Sequence, residues 1–139
     1  MAAIGDPALV RTFGGIVRQE YRAVGINEAL SPQADLATEP RWARLSQTFG
    51  EDADQAVSLV KAYIQGIQGG GRGVARDGVS AVVKHWVGGA AKDGWDSHNY
   101  YGRFAEFKSQ NLAYHIKPFR AAFDAGVAGT CRVSSNLGC

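Results

Sequence analysis

Two adjacent polar side chains, Lys84 and His85, directly follow the nearly continuous apolar segment 79–83. Such a segment is typical of a strand that is covered on both faces, so we expect these two residues to end a buried strand. An ammonium group beside an imidazole can hydrogen-bond neighbouring hydroxyl groups of a ligand without any proton transfer. The alternative is that Lys84 and His85 are simply solvated residues at a strand end.

Aromatic side chains and carboxylates elsewhere in the sequence are further candidates for the same binding site as Lys84 and His85. Trp42, Trp86 and Trp95 can offer ring faces to a ligand, because binding pockets are usually apolar with a few polar groups. Trp42 and Trp86 are also interpretable as packing residues, whereas Trp95 lies in a predicted loop. The loop carboxylates Asp93 and Asp96 form either a catalytic pair or, as is usual for loop aspartates, solvated or capping groups.

Metal and phosphate chemistry find little support in the sequence. His98 follows His85 by 13 residues and precedes His115 by 17, a spacing that matches no common metal-binding pattern. The glycine-rich stretch 69–73 lacks the Lys-Ser/Thr pair of a phosphate-binding loop. We therefore expect neither a metal site nor a cofactor.

The composition is that of one small globular domain. The chain has 139 residues, 45% of them hydrophobic and 20% charged, and a net charge of +2. This balance excludes disorder as the main state, and the charge is too small to favour a nucleic-acid partner. No stretch approaches the roughly 18 apolar residues of a membrane span. Cys131 and Cys139 lie too close to the end of the chain to staple a fold.

The elements that must position these residues follow from the hydrophobic spacing. Asp6 and Pro7 are typical of a helix start, and an apolar stripe predicts a helix over 7–24. A short strand over 26–30 ends at Ser31-Pro32. Residues 33–51 are predicted to form a loop.

The second half of the chain repeats this order. It predicts a helix over 52–68, with Glu51 or Asp52 at its amino end, and a strand over 79–83. A long loop over 86–102 leads to a third helix over 103–124, which Pro118 would kink or split. A third strand begins near Val127.

Alternating helices and strands predict an α/β fold, a partial (β/α) TIM-type barrel with about three βα units of a parallel sheet. The long connections follow strands, as at the active face of such barrels. A complete barrel takes about 250 residues and eight strands, so three strands cannot close. Open sheet edges of this kind favour self-association.

Three stretches resemble the N-terminal barrel domain of glycoside hydrolase family 3, the β-glucosidase and exo-β-glucanase family. Residues 30–44 (LSPQADLATEPRWAR) are similar to the family's SP-D-PRWGR segment, 48–52 (TFGED) to its TFGED, and 83–88 (VKHWVG) to its KHF(V/A)G. The loop 91–102 resembles the bacterial exo-β-glucanase branch most. Motif order and spacing match over about residues 2–129.

Two departures from the family stand out. Ala43 replaces the usual glycine, and the tail 130–139 turns polar where the family continues an apolar strand. We therefore interpret 1–139 as one incomplete barrel domain whose last ten residues depart from the family. The start of the chain has no leader-like segment, which predicts the cytoplasm, or the periplasm or secretion if a longer amino terminus precedes it.

The resemblance implies retaining cleavage of terminal β-D-glucosyl residues, which needs a nucleophilic carboxylate and an acid about 5–5.5 Å apart. In the family these two groups come from later segments, so we expect neither in this chain. The resemblance assigns Arg44, Lys84 and His85 to binding of the terminal sugar, and Trp95 can stack on a sugar ring. Arg44 is otherwise interpretable as a structural ion pair.

The expected ligand is accordingly a β-glucoside or β-glucan oligosaccharide, and the expected function that of an O-glycosyl hydrolase fragment with little activity alone. A non-catalytic fragment that binds glucose or β-glucan is the alternative. Arg41 is assigned to structure, in a pair with Asp35 or Glu51.

Overall fold

The computed structural model describes residues 1–89, 92–107, 111–132 and 136–137. The helices in these ranges are α1 (Pro7–Ala23), α2 (Ala53–Gln68) and α3 (Leu112–Asp124). The strands are β1 (Glu28–Ala29), β2 (Ser80–Trp86), β3 (Phe104–Ala105), β4 (Gly129–Arg132) and β5 (Asn136–Leu137). Single 3-10 turns occupy Leu45–Gln47, Lys92–Gly94 and Tyr100–Gly102.

The central sheet is parallel, with the strand order β1-β2-β4. Glu28 pairs with Ser80 on one side of β2, and Val82 pairs with Gly129 on the other. A helix precedes each of these strands in the chain. This confirms the α/β class and the partial barrel, while β3 and β5 form a separate parallel pair.

The first two helices begin where the capping residues predict. The Asp6 carboxylate accepts hydrogen bonds from the backbone amides of Ala8 and Leu9, at 2.8 and 3.4 Å. Asp52 accepts one from the Gln55 amide at 2.7 Å. Each bond satisfies an amide that has no partner within its own helix. Both helices therefore match the predicted 7–24 and 52–68 to within one residue.

Two predicted boundaries are wrong. The third helix does not begin at 103 but at Leu112, because Phe104–Ala105 pairs with β5 instead. Pro118 lies inside α3 and does not split it. The second strand does not stop at 83 but runs to Trp86. Residues 108–110 of the predicted helix and residues 133–135, 138 and 139 of the divergent tail, the last of these Cys139, lie outside the described residues.

Helix α2 occupies the centre of the core, between α1 and α3. Its buried side chains pack with residues of β2, α3 and the segment before β2. The largest fully buried residues of this core include Leu59, Ile64, Ile67, Val83 and Phe119. Burial of each such side chain stabilises the fold by about 1.5–3 kcal/mol.

A buried glutamine joins α2 to the sheet. Gln68 is fully buried at the end of α2. Its amide donates to the Gly126 carbonyl at 3.0 Å, and its carbonyl accepts from the backbone amides of Ala81 at 3.3 Å and Ala128 at 2.9 Å. Because every polar atom of the side chain is satisfied, this residue fixes where β2 and the approach to β4 meet the helix.

The α1–α2 crossing depends on two glycines. A Cβ at Gly66 would lie 2.3 Å from the Arg11 carbonyl oxygen, and one at Gly14 would lie 2.7 Å from the Tyr63 carbonyl oxygen. The two backbones therefore touch without intervening side chains. Two of the 18 glycines of the chain thus serve this contact.

None of the helices in the described residues is long and apolar enough to cross a membrane.

We predict that Gly66→Ala destabilises the protein by about 2–3 kcal/mol, because the added methyl group overlaps backbone atoms that cannot move away. The control is Gly15→Ala in α1, where a Cβ meets nothing within 4 Å and the loss of backbone freedom in the unfolded state stabilises by about 0.5–1 kcal/mol. Urea unfolding measures both. Equal effects of the two substitutions would disprove the close crossing.

Candidate functional site

Strand β2 delivers the central pair of the site. Along Ser80–Trp86, buried and half-buried residues alternate, so that His85 is buried and Lys84 is half-buried. The segment before it reaches the same place: the Lys84 amide donates to the Pro32 carbonyl at 2.9 Å, and the Ala34 amide donates to the Lys84 carbonyl at 2.7 Å. These two bonds continue the sheet beyond β1 and bring residue 35 beside residue 85.

Asp35 holds His85 through two separate contacts. The Asp35 side chain is completely buried, and its Oδ2 lies 2.7 Å from His85 Nδ1. Its Oδ1 accepts the His85 backbone amide at 3.2 Å. Both the ring and the backbone of His85 are thereby oriented by one carboxylate.

Arg44 closes on the opposite side of the imidazole. Its Nη1 lies 3.2 Å from His85 Nε2, although the two residues are 41 positions apart in the chain. Gln47 steadies the guanidinium, because its side-chain oxygen accepts from both Nε and Nη2 at 3.2 Å. Asp96 lies 3.9 Å from Nη1. Arg44 therefore takes part in both an ion pair and a contact to His85.

Asp96 is the polar centre of the long loop after β2. It accepts from the Trp42 indole at 3.1 Å and from the His98 backbone amide at 3.0 Å, and it pairs with the His98 ring. Burial acts to raise the pKa of Asp96, but the hydrogen bonds from His98 and Trp42 outweigh it and hold the pKa below its ordinary value. Asp96 is thus kept as a carboxylate.

Lys84 carries a positive charge that is partly buried and lies near a second positive charge. Burial and then the nearby Arg44 guanidinium lower the pKa of Lys84, while Cys131 and Asp35 oppose them. Close like charges that are both partly desolvated are typical of sites that bind a polar ligand. The folded protein carries this partly buried ammonium group at a cost in stability.

Trp95 lies one residue before Asp96, in the long loop after β2. It is 48% exposed and packs on Tyr101 with the ring centroids 5.3 Å apart. Together with Asp93, Arg103 and Phe104, these rings line an open pocket of about 290 Å³. The pocket combines aromatic faces with one carboxylate and one guanidinium.

The remaining candidates have structural contacts. Trp86 packs on Phe119 and Phe123 of α3, with centroids 5.5 and 5.4 Å apart, as the packing interpretation expects. Trp42 is buried. Asp93 and Asp96 do not share partners: Asp93 is exposed and lies 3.9 Å from Arg41.

The expected partner of Arg41 is wrong. Its guanidinium pairs with Glu39, at 2.8 Å from each carboxylate oxygen, and not with Asp35 or Glu51. The residues are two positions apart, so a local pair forms without ordering a distant segment. Asp35 is instead the partner of His85, a role that spacing alone does not reveal.

Comparison with known proteins places this arrangement in context. The family model "Glycosyl hydrolase family 3 N terminal domain" matches residues 1–131. A periplasmic β-glucosidase/β-xylosidase of Dickeya chrysanthemi is 62% identical over 130 residues, which are 93% of this chain and 20% of that protein. β-Glucosidase C of Emericella nidulans is 47% identical over 127 residues, 91% of this chain and 20% of that protein. The chain thus spans about a fifth of these relatives.

Solved structures agree in fold. The β-glucosidase of Listeria innocua in complex with glucose superimposes with a TM-score of 0.86 at 26% identity, covering 98% of this chain and 19% of that one. A mutant of the same enzyme, solved in complex with laminaribiose, superimposes with a TM-score of 0.85 at 26% identity.

We predict that Lys84→Met stabilises the protein at neutral pH, because it removes a partly desolvated cation beside Arg44. Solvent screens the effect, so the gain is about 0.5 kcal/mol. Since burial lowers the pKa of Lys84 in the folded state, the folded chain binds fewer protons, and the penalty disappears as the pH rises above the ordinary value of 10.5.

Thermal unfolding at several pH values measures this gain, with Lys61→Met on the exposed surface of α2 as the matched control. A gain no larger than that of the control, or one that persists at high pH, would contradict the prediction.

Proposed function

The chain belongs to glycosyl hydrolase family 3, and from this membership we propose that it forms the part of a β-glucosidase or exo-β-glucanase that holds the terminal sugar. The observation that carries the proposal is the 3.2 Å contact between Arg44 Nη1 and His85 Nε2, with Lys84 directly beside it. Arg44, from the segment before α2, thus reaches the imidazole near the end of the parallel strand β2, where barrel enzymes bind their substrates, and its charge also acts on Lys84.

Each of the three groups suits a sugar hydroxyl. Lys84 and Arg44 only donate hydrogen bonds, whereas a neutral imidazole nitrogen accepts one. A pyranose carries hydroxyls that do both. Donors and an acceptor at one place therefore fix the orientation of the ring, while their charges need not change during binding.

Trp95 offers a second surface for a sugar, in a pocket whose lining does not include Arg44, Lys84 or His85. Its exposed face and that of Tyr101 suit the C–H face of a sugar ring, and Asp93 and Arg103 in the same pocket suit its hydroxyls. The Listeria enzyme that superimposes on this chain was solved with laminaribiose. A β-glucoside or short β-glucan is the ligand that we assign to the site.

The catalytic carboxylates belong elsewhere in this proposal. Retaining cleavage requires two carboxyl groups about 5–5.5 Å apart. Among the loop aspartates of the described residues, Asp35 is committed to His85 and Asp96 to Trp42 and His98. Because the chain spans about a fifth of its relatives, we assign the nucleophile and the acid to segments outside it. The alternative, a purely sugar-binding fragment, uses the same three residues.

The relative from Dickeya is named as periplasmic. This favours the periplasm or secretion over the cytoplasm for the protein to which the chain belongs.

We predict that calorimetric titration with glucose or laminaribiose detects binding, and that Arg44→Ala weakens it about tenfold to a hundredfold, the cost of charge-assisted hydrogen bonds. Arg120→Ala, an exposed arginine of α3, is the matched control and leaves affinity unchanged. An aryl β-glucoside assay accompanies the titration. Robust turnover that Lys84→Ala abolishes would show that the assignment of the carboxylates is wrong, and binding unaffected by Arg44→Ala would refute the site.

We predict concentration-dependent association, because β1 and β4 are the outer strands of the sheet and exposed strand edges pair readily. Sedimentation velocity over a range of concentrations measures it. Leu9, Phe13 and Ile16 form a second exposed apolar surface on α1, so Ile16→Glu is the control. Association that persists in this variant assigns the contact to the edges; a chain that stays monomeric throughout contradicts the prediction.

A further inference from the structure

A single carboxylate determines which nitrogen of His85 carries the proton. We infer that Asp35 is a positioning residue that holds His85 as the Nδ1–H tautomer and leaves Nε2 as a hydrogen-bond acceptor directed at Arg44 and the proposed sugar site. Only the effect of this tautomer on sugar binding rests on the proposed function. The tautomer itself follows from the contacts on either side of the ring.

The two neighbours of the imidazole impose the same assignment. A carboxylate only accepts hydrogen bonds, so His85 Nδ1 must donate to Asp35 Oδ2 across 2.7 Å. A guanidinium only donates, so His85 Nε2 must accept from Arg44 Nη1 across 3.2 Å. The reverse tautomer would set lone pair against lone pair on one side and hydrogen against hydrogen on the other.

The His85 ring has two partners, Asp35 and Arg44, and the backbone fixes the position of Asp35. The 33–35 segment is bonded to β2 through the Ala34 amide and the Lys84 carbonyl at 2.7 Å. Gly89 covers the carboxylate from the other side, since a Cβ there would lie 3.1 Å from the Asp35 carboxyl carbon. The carboxylate is enclosed and cannot turn away. Arg44, in contrast, is partly exposed and can exchange His85 for a ligand hydroxyl.

The second contact of Asp35 makes the inference testable by an isosteric change. Oδ1 accepts the His85 backbone amide at 3.2 Å, and that donor cannot be reversed. In Asp35→Asn the amide oxygen must therefore stay on the backbone N–H. The amide nitrogen, a donor, then faces Nδ1, which becomes an acceptor, and the proton moves to Nε2. Nε2–H then opposes the donors of Arg44.

Two-bond ¹⁵N–¹H spectra of the imidazoles at about pH 8, above the usual histidine pKa, report the tautomer directly. His85→Gln identifies the signals of His85 among those of the three histidines. We expect a protonated Nδ1 in the wild-type chain and a protonated Nε2 in Asp35→Asn. Asp52→Asn, the same change at the cap of α2, leaves the His85 signals unchanged.

Three results would overturn the inference: a protonated Nε2 in the wild type, an unchanged tautomer in folded Asp35→Asn, or a reversed tautomer in Arg44→Met, which would assign control to the guanidinium. The wild-type and Arg44→Met spectra decide the question even where Asp35→Asn fails to fold.

A glucose titration then tests the consequence. Asp35→Asn is expected to lose about tenfold in affinity, the cost of one misdirected hydrogen bond, with no change for Asp52→Asn. If the wild type binds no glucose while its spectra show the expected tautomer, the proposed function fails and the tautomer assignment stands. Full affinity in a variant with the reversed tautomer refutes the role of Asp35 in orienting the site.

Discussion

The site depends on a backbone pairing that is only two hydrogen bonds long. Lys84 donates to the Pro32 carbonyl and accepts from the Ala34 amide, and this short continuation of the sheet places a buried carboxylate beneath His85. Because the sheet ladder sets the register, a slip of one residue would move Asp35 to the opposite face. The tautomer of His85, its contact with Arg44 and the position of Lys84 all follow from that register.

The helices were predictable because their signals are local. Asp6, Asp52 and the apolar stripes of α1 and α2 lie within a few residues of the boundaries that they specify. The failure at the third helix has a non-local cause: Phe104 sits at helical spacing from the later aromatic residues, but its backbone pairs with Asn136. Pairing with a strand some thirty residues away leaves no mark on the local pattern.

The site residues also divide into those that the sequence identified and one whose role only the structure shows. Lys84 and His85 alone were also interpretable as solvated residues at a strand end, and it was the family motifs that assigned them and Arg44 to the site. Asp35 lies in one of these motifs, but its role was missed, since a buried aspartate and a loop aspartate look alike in one sequence. The expected pair with Arg41 was wrong because Glu39 is closer along the chain. Identifying the partner of a buried charge requires knowing which backbone segments are adjacent.

The organisation of the site shows how a small part of a barrel can orient the residues that we propose to bind a sugar. The side-chain contacts of Arg44 and His85 described above come from the 33–47 segment, from β2 and from the loop that holds Asp96. Lys84 is in addition paired with Cys131 of β4. Positioning of the two carboxylates of a retaining enzyme is a separate requirement, because they must be held about 5–5.5 Å apart. The proposed binding geometry therefore depends on the pairing around β2, whereas the two carboxylates would be positioned by the segments to which we assign them.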